Sequence, residues 1–127
     1  MGSVQIFKTK LFARFARRER ITDGALCEAV TRAEKGLIDA DLGGGVIKQR
    51  VARQGQGRSG GYRVLLAFRD KERTVFVYGF AKNDRDNIDD QELAVVREVS
   101  ASWLAADAKM IGLALTQGLL IEVQNDD

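Results

Sequence analysis

Histidine and proline are both absent from this 127-residue chain, and cysteine occurs once. Without histidine the protein has no Ser-His-Asp triad, no HExxH zinc motif and no histidine general base. The single Cys27 forms no internal disulfide, and its place on the apolar side of a predicted helix favours a core role over a reactive thiol. Long apolar runs and a signal-peptide core are missing too, so we expect a cytoplasmic protein with no membrane partner.

Acidic residues are scarce in the first two thirds of the chain. Residues 1–83 hold 17 lysines and arginines and 8 acidic residues, whereas residues 84–127 hold 3 and 10. The corresponding net charges, +9 and −7, give the overall +2. Because the first part suits a polyanion and the second does not, the sequence predicts that any nucleic acid binds the basic part.

The most basic stretch runs from residue 42 to residue 69 and contains six cations without one acidic residue. Its pattern predicts two strands joined by a glycine-rich loop. Alternation along a strand places Lys48 and Arg50 on the same face of the first strand. On the second strand, Arg63 and Tyr62 point to different faces. If the strands pair as a hairpin, Lys48, Arg50 and Arg63 converge on one patch. The same spacing also fits an ordinary solvated strand face with a flexible loop.

A short strand over residues 4–8 and two helices are predicted before this hairpin. Thr9 and Thr22 fit the N-cap positions of the two helices. The buried stripe of the first helix is predicted to include Leu11. Gly36 fits the end of the second helix, and a loop is expected over residues 39–45.

Residues 74–81, after the hairpin, are apolar on both faces, as in a central strand with helices on each side. Asp89 and Glu92 fit a capping box that begins a third helix. Residues 107–127 are predicted to be a C-terminal extension, with a shorter helix from Asp107 and then a closing edge strand or a tail that orders on a partner. The element order predicts one α+β domain over residues 1–127, with two N-terminal helices and a C-terminal helix on a small, mostly antiparallel sheet.

Two motif matches have simpler explanations than cofactor binding. Residues 55–60, GQGRSG, satisfy G-x-G-x-x-G, but a strand follows where the dinucleotide fingerprint needs a helix. The acidic residues at positions 84, 86, 89 and 90 lack the glycine that an EF-hand requires, and they suit the N-terminus of a helix. We therefore predict no cofactor and no metal.

The cationic face suits RNA cleavage without a metal, in which a ribose 2′-hydroxyl attacks the neighbouring phosphate. Arginines bind the extra charge on phosphorus through forked hydrogen bonds, so Arg50 and Arg63 are the predicted phosphate clamps. Nearby arginines disfavour the charged form of a lysine, which makes Lys48 the candidate base. Lys82, just past the central strand, is either a further catalytic residue or a charged strand terminus.

Three further residues are predicted to hold the RNA backbone, namely Arg53, Arg58 and Asn83. Arg53 precedes the glycine-rich loop and Arg58 lies in it, whereas Asn83 follows the central strand. Tyr62 is a candidate for stacking on a base, but its alternation with Val64 and Leu66 favours a core position.

The segments IKQRVARQGQGRSGGYRVLLAFR and VFVYGFAKNDRDNIDDQEL resemble the RelE/ParE superfamily of bacterial type II toxins, most of all its HigB-like RelE branch. By element order the resemblance covers residues 4–104. It implies a RelE-like fold, cleavage of messenger RNA, usually on the ribosome, and neutralisation by a cognate antitoxin, commonly a helix-turn-helix protein. By position, Lys48 and Arg50 match the basic pair on the family's second strand, and Arg63 matches the arginine that begins its third.

The chain also departs from the family pattern. Asn83 stands where well-studied RelE toxins have another arginine, and Ile88 stands in the region of their catalytic tyrosine. The histidines with which some HigB-like members cleave are missing, and Asp84 or Asp86 is a candidate substitute for an acid. We therefore keep three functions open. The converging cations favour a ribosome-associated endoribonuclease, an mRNA interferase, over a ParE-like toxin that binds DNA gyrase and over a non-catalytic RNA-binding module.

Overall fold

The computed structural model describes residues 5–52, 61–82 and 87–124, which form six strands and four helices. The strands are β1 (Gln5–Thr9), β2 (Ala40–Gly43), β3 (Val46–Val51), β4 (Tyr62–Arg69), β5 (Arg73–Ala81) and β6 (Leu120–Glu122). The helices are α1 (Lys10–Glu19), α2 (Asp23–Glu34), α3 (Asp90–Ala105) and α4 (Ala108–Gln117). The predicted α+β class is confirmed.

All six strands belong to one sheet, in the order β2-β3-β4-β5-β1-β6. β1 runs parallel to β5, and every other neighbouring pair is antiparallel. The mostly antiparallel sheet is therefore confirmed. β5 lies in the interior between β4 and β1, as its two apolar faces predict. β6 pairs with β1 at the edge, which confirms the predicted closing strand.

Side chains that cap the backbone set the starts of the helices. The hydroxyls of Thr9 and Thr22 each accept a hydrogen bond from the backbone N–H three residues further on, at 3.2 and 3.1 Å. Such a bond satisfies a donor that the first turn of a helix leaves unpaired. At α3, Asp89 and Glu92 form the full capping box, with N–O distances of 2.8 and 3.1 Å. Asp107 caps α4 in the same way as the two threonines. All four predicted starts are confirmed.

Two local predictions are wrong. The segment around residues 39–45, expected to be a loop, contains β2, which pairs with β3. Its glycines and aspartates are typical of turns, and pairing with a neighbouring strand overrides that preference. Leu11, expected in the buried stripe of α1, is 73% exposed, whereas Ala13 is buried. The buried stripe of α1 therefore includes Ala13 in place of Leu11 and keeps Phe12, Phe15 and Ala16.

Helices cover both faces of the sheet, and alternation along the strands divides the core between them. On one face Phe12 of α1 and Leu26 of α2 pack with sheet residues such as Phe76. On the opposite face α3 packs on Leu65 and Phe80, and α4 extends that layer towards β1 and β6. Because neighbouring strand residues belong to opposite layers, the core contacts show which face each strand side chain occupies.

Tyr62 and Cys27, for which a core role is predicted, both contact the layer formed with α1 and α2. The Tyr62 side chain is 2% exposed, and its ring meets the ring of Phe15 edge-on at a centroid distance of 5.8 Å. Cys27 is partly buried against the same cluster. The core prediction is therefore confirmed for both. Within the three described ranges, no helix combines the length and the apolar character that crossing a bilayer requires.

Candidate functional site

The register between β3 and β4 determines which basic side chains meet. Arg50 lies directly opposite Arg63, and Lys48 lies opposite Leu65. Cross-strand partners point to the same face of a sheet, as do residues two apart along a strand. Lys48, Arg50 and Arg63 therefore share one face, the face that carries α3. We call these three residues the cationic patch.

The register brings two cations, Arg50 and Arg63, to directly opposite positions of an antiparallel pair. Like charges directly opposite each other in an antiparallel pair are destabilising. Two arginines in these positions make the strand pairing less stable than two uncharged residues would. Residues that lower stability in this way are expected at functional sites. An anion bound between the two guanidinium groups would remove the repulsion.

Arg63 is partly buried between β3 and β5, opposite Arg50 on one side and Phe80 on the other. Its Nη1 is shielded from solvent and has no hydrogen-bond partner in the part of the chain that the structure describes. An unsatisfied buried donor on a charged group is costly, because water has been removed and nothing replaces it. The guanidinium thus carries one donor that the described residues leave unpaired.

Arg50 is already in contact with a carboxylate. Asp39, just before β2, accepts a hydrogen bond from the backbone N–H of Arg50 at 2.6 Å, and its other oxygen lies 3.4 Å from Arg50 Nε. Arg32 of α2 also pairs with Asp39, with 3.7 Å between Nη1 and Oδ2, and donates a hydrogen bond to the Arg50 carbonyl. The Arg50 side chain remains 48% exposed. A phosphate can therefore reach Arg50 from solvent, in competition with Asp39.

The two lysines lie at the same end of the sheet. Lys48 is partly buried and forms no salt bridge with another described residue. Lys82 follows β5, is exposed, and donates its backbone N–H to the carbonyl of Gly61 at 3.1 Å, next to the start of β4. Phe80, two residues before Lys82, is the cross-strand partner of Arg63. Both lysines therefore border the arginine pair.

Several predicted residues lie outside the described ranges: Arg53, Arg58, Asn83, Asp84 and Asp86. Their predicted roles are neither supported nor contradicted by the geometry. The same holds for the glycine-rich segment at residues 55–60. The described residues next to these segments are Ala52 after β3, Gly61 before β4 and Lys82 after β5, which belong to the end of the sheet that carries the cationic patch.

Sequence reasoning missed a buried polar network behind the patch. Gln49 is fully buried, and its amide donates to the carbonyls of Ala29 and Leu37 at 3.0 and 3.1 Å. Its side-chain oxygen accepts from the backbone N–H of Asp39 at 2.8 Å. These bonds hold the segment after α2 against β3 and so fix Asp39 beside Arg50. The only signal in the sequence is a glutamine at an apolar position of a predicted strand.

We expect Asp39→Ala to lower the free energy of unfolding by about 1 kcal/mol, because the Arg50 N–H loses its acceptor and Arg32 loses a partner. Urea denaturation followed by circular dichroism measures the change. Asp70→Ala, in the exposed turn between β4 and β5, is the matched control and should stay within about 0.5 kcal/mol of the wild type. Equal effects for the two variants would contradict a structural role for Asp39.

A family model described as the RelE toxin of the RelE/RelB toxin-antitoxin system matches residues 4–123. The chain belongs to the RelE toxin family. A search of curated proteins gave no match. The resemblance in the sequence ends at residue 104, whereas the RelE match continues to residue 123 and includes α4 and β6.

Membership of the RelE family makes this chain the toxin of a toxin–antitoxin pair and implies an antitoxin partner. The HigB-like branch within the family stays a prediction. Ile88, the residue that the sequence resemblance sets in the region of a catalytic tyrosine, is buried against Leu65 and Phe80. Because an isoleucine side chain transfers no proton, any chemistry at this end of the sheet depends on other residues.

Proposed function

We propose that this RelE-family toxin is a ribosome-associated endoribonuclease, an mRNA interferase that cleaves messenger RNA without a metal ion. The observation that carries the proposal is the register of β3 and β4, which brings Lys48, Arg50 and Arg63 to one face at one end of the sheet. Family membership supports the toxin action independently of that geometry. A ribose phosphate is the ligand whose charge and shape fit two opposed arginines.

Arg63 and Arg50 would bind the non-bridging oxygens of the phosphate at the cleavage site. As the 2′-oxygen attacks phosphorus, negative charge grows on those oxygens, and the fixed guanidinium donors stabilise it more strongly than they stabilise the ground state. Arg63 contributes a donor that has no described partner in the free protein. Arg50 contributes after its side chain exchanges the Asp39 carboxylate for the phosphate.

Lys48 is the proposed general base. It shares one face with Arg50, two residues along β3, and with Arg63 on β4, the two residues that would hold the phosphate. The Lys48 amine would take the proton from the 2′-hydroxyl as the 2′-oxygen–phosphorus bond forms. The phosphorus–5′-oxygen bond then breaks, and we assign the protonation of the departing 5′-oxygen to Lys82. The products are a 2′,3′-cyclic phosphate and a 5′-hydroxyl end.

Expression in bacteria tests the proposal directly. We expect induction to stop growth and primer extension on translated messages to show discrete new 5′ ends. Lys48→Ala should reduce their yield by roughly 100-fold or more, which is the usual contribution of a positioned base. Lys109→Ala, on the exposed surface of α4, is the matched control and should cleave like the wild type.

The other outcomes separate the alternative functions. Growth arrest with broken DNA and intact messages would indicate a ParE-like toxin that poisons gyrase. Salt-sensitive RNA retention without growth arrest would indicate a binding module. New ends that Lys48→Ala leaves unchanged would contradict the role of Lys48, and cleavage of free RNA as efficient as that of translated RNA would contradict the ribosome dependence.

A further inference from the structure

The partial pairing of β1 with β5 leaves a groove along the edge of β5 that faces β1, whereas the cationic patch lies on β3 and β4, beyond the other edge of β5. β1 accompanies β5 only as far as Phe76, because the chain turns into α1 directly after Thr9. Where β1 stops, a hollow of about 450 Å³ opens between α1 and α3, and a second of about 440 Å³ opens between α1 and β5. Both are lined by Leu11, Val77 and Tyr78, so the two hollows adjoin, and we call them together the edge groove.

Apolar side chains form both walls of the edge groove. Leu11 of α1 is 73% exposed and Val95 of α3 is 59% exposed, and both line the first hollow together with Val99 and Trp103. Exposed apolar side chains that line one trench differ from scattered surface leucines, because a single occupant removes them from water together. The groove is thus suited to a protein segment with apolar side chains.

A row of cations borders the groove along α1. Lys10 lines the first hollow, and Arg14 and Arg18 line the second. Residues spaced by four lie above one another on a helix, so the three form one line. Arg18 pairs with its neighbour Glu19 at 3.2 Å and lies over the Phe15 ring, whereas Lys10 and Arg14 form no salt bridge with other described residues. Glu92 also lines the first hollow, where it accepts a hydrogen bond from the Tyr78 hydroxyl at 2.9 Å, so the three cations of α1 face one carboxylate and the border still attracts acidic side chains.

We propose that the edge groove is the docking site of a segment of the cognate antitoxin in which apolar residues are flanked by Asp or Glu. This inference rests on the toxin–antitoxin membership of the chain and is independent of the cleavage chemistry proposed above. A second copy of the chain would bring the same basic row of α1 against itself, and an RNA would leave the apolar walls uncovered. An acidic, apolar protein segment satisfies both the walls and the border.

The edge groove and the cationic patch lie on different sides of β5. The patch belongs to β3 and β4, whereas the groove begins where β1 leaves the opposite side of β5. Docking in the groove therefore does not require contact with Arg63. Substitutions that abolish cleavage and substitutions that abolish antitoxin binding should accordingly be different sets.

The test measures, by calorimetry, how tightly the purified antitoxin, identified as the protein whose co-expression restores growth, binds to the toxin. Leu11→Glu places a negative charge on the exposed wall and should weaken the dissociation constant by roughly 30-fold or more, the size expected for a central anchor. Arg14→Glu should weaken it by about tenfold, and less at high salt. Leu113→Glu, on the exposed surface of α4, is the matched control and should bind like the wild type.

Growth assays keep this inference separate from the proposed function. Toxin carrying Leu11→Glu should still arrest growth but escape rescue by the co-expressed partner, whereas Arg63→Ala should bind the partner with unchanged affinity. A thermal melt checks that Leu11→Glu is folded. If it folds poorly, Val95→Glu takes its place in the test. Wild-type affinity in both groove variants, loss of binding in Arg63→Ala, or no binding by the wild type would each overturn the docking site. If the toxin does not cleave messages, these binding results still test the docking site, because they do not depend on cleavage.

Discussion

Arg63→Ala is expected to lower the rate of message cleavage by about 10²–10³-fold and to abolish growth arrest, because removal of one fixed donor to a developing anion has effects of this size. The folded state should not suffer. The Nη1 of Arg63 has no hydrogen-bond partner among the described residues, and its loss relieves the repulsion with Arg50. Primer extension measures the cleavage, and a thermal melt measures the stability.

Two further variants define the control for this prediction. Arg69→Ala removes an exposed arginine from the other end of the same strand and should cleave normally. Arg63→Lys keeps the charge but loses the forked pair of donors, so it should recover only part of the activity. Cleavage at the wild-type rate by Arg63→Ala would contradict the phosphate-clamp role, and equal losses for the Arg63 and Arg69 variants would indicate a general effect of charge.

Phe76→Ala is expected to lower the free energy of unfolding by about 3–5 kcal/mol, the usual cost of truncating a buried phenylalanine. Phe76 is fully buried in β5, and its ring centroid lies 5.3 Å from that of Phe12 in α1. Its strand lies between β4 and β1, so a cavity here affects both pairings at once. A loss of this size is a large part of the stability of a small domain, and growth arrest should weaken at 37 °C.

Urea denaturation of purified protein measures the effect of Phe76→Ala. The matched control, Leu113→Ala, truncates an exposed side chain of α4 and should change the free energy of unfolding by less than about 0.5 kcal/mol. A loss below about 1 kcal/mol for Phe76→Ala would mean that the site collapses without a cavity, which contradicts a close-packed layer between β5 and α1.

The sequence predicts this patch well because the decisive signal is local. Alternation along two strands and the register of the one hairpin that joins them are enough to place Lys48, Arg50 and Arg63 on one face. A slip of one residue in that register would have moved Arg63 to the face of Tyr62. The contacts around Arg50 are different. Asp39 reaches it because α2 and the segment after it pack against β3, and such a non-local approach leaves no periodic pattern in the sequence.

The errors have similar physical causes. In α1, two overlapping stripes are both compatible with helical spacing, one with Leu11 inside and one with Ala13 inside. The choice depends on where β1 ends, since the groove beyond it leaves Leu11 uncovered. β2 was missed because its residues favour turns in isolation, and only the neighbouring strand β3 makes them extend.

The place of β1 between β5 and β6 also orders events during folding. The hairpins of β3, β4 and β5 connect residues close in the chain, so they form early, whereas the first strand has to wait for partners made much later. Its second neighbour, at residues 120–122, lies more than 100 residues further along the chain. The sheet of this toxin therefore closes later than the hairpins that carry the cationic patch, because β1 has to wait for strands from two distant segments.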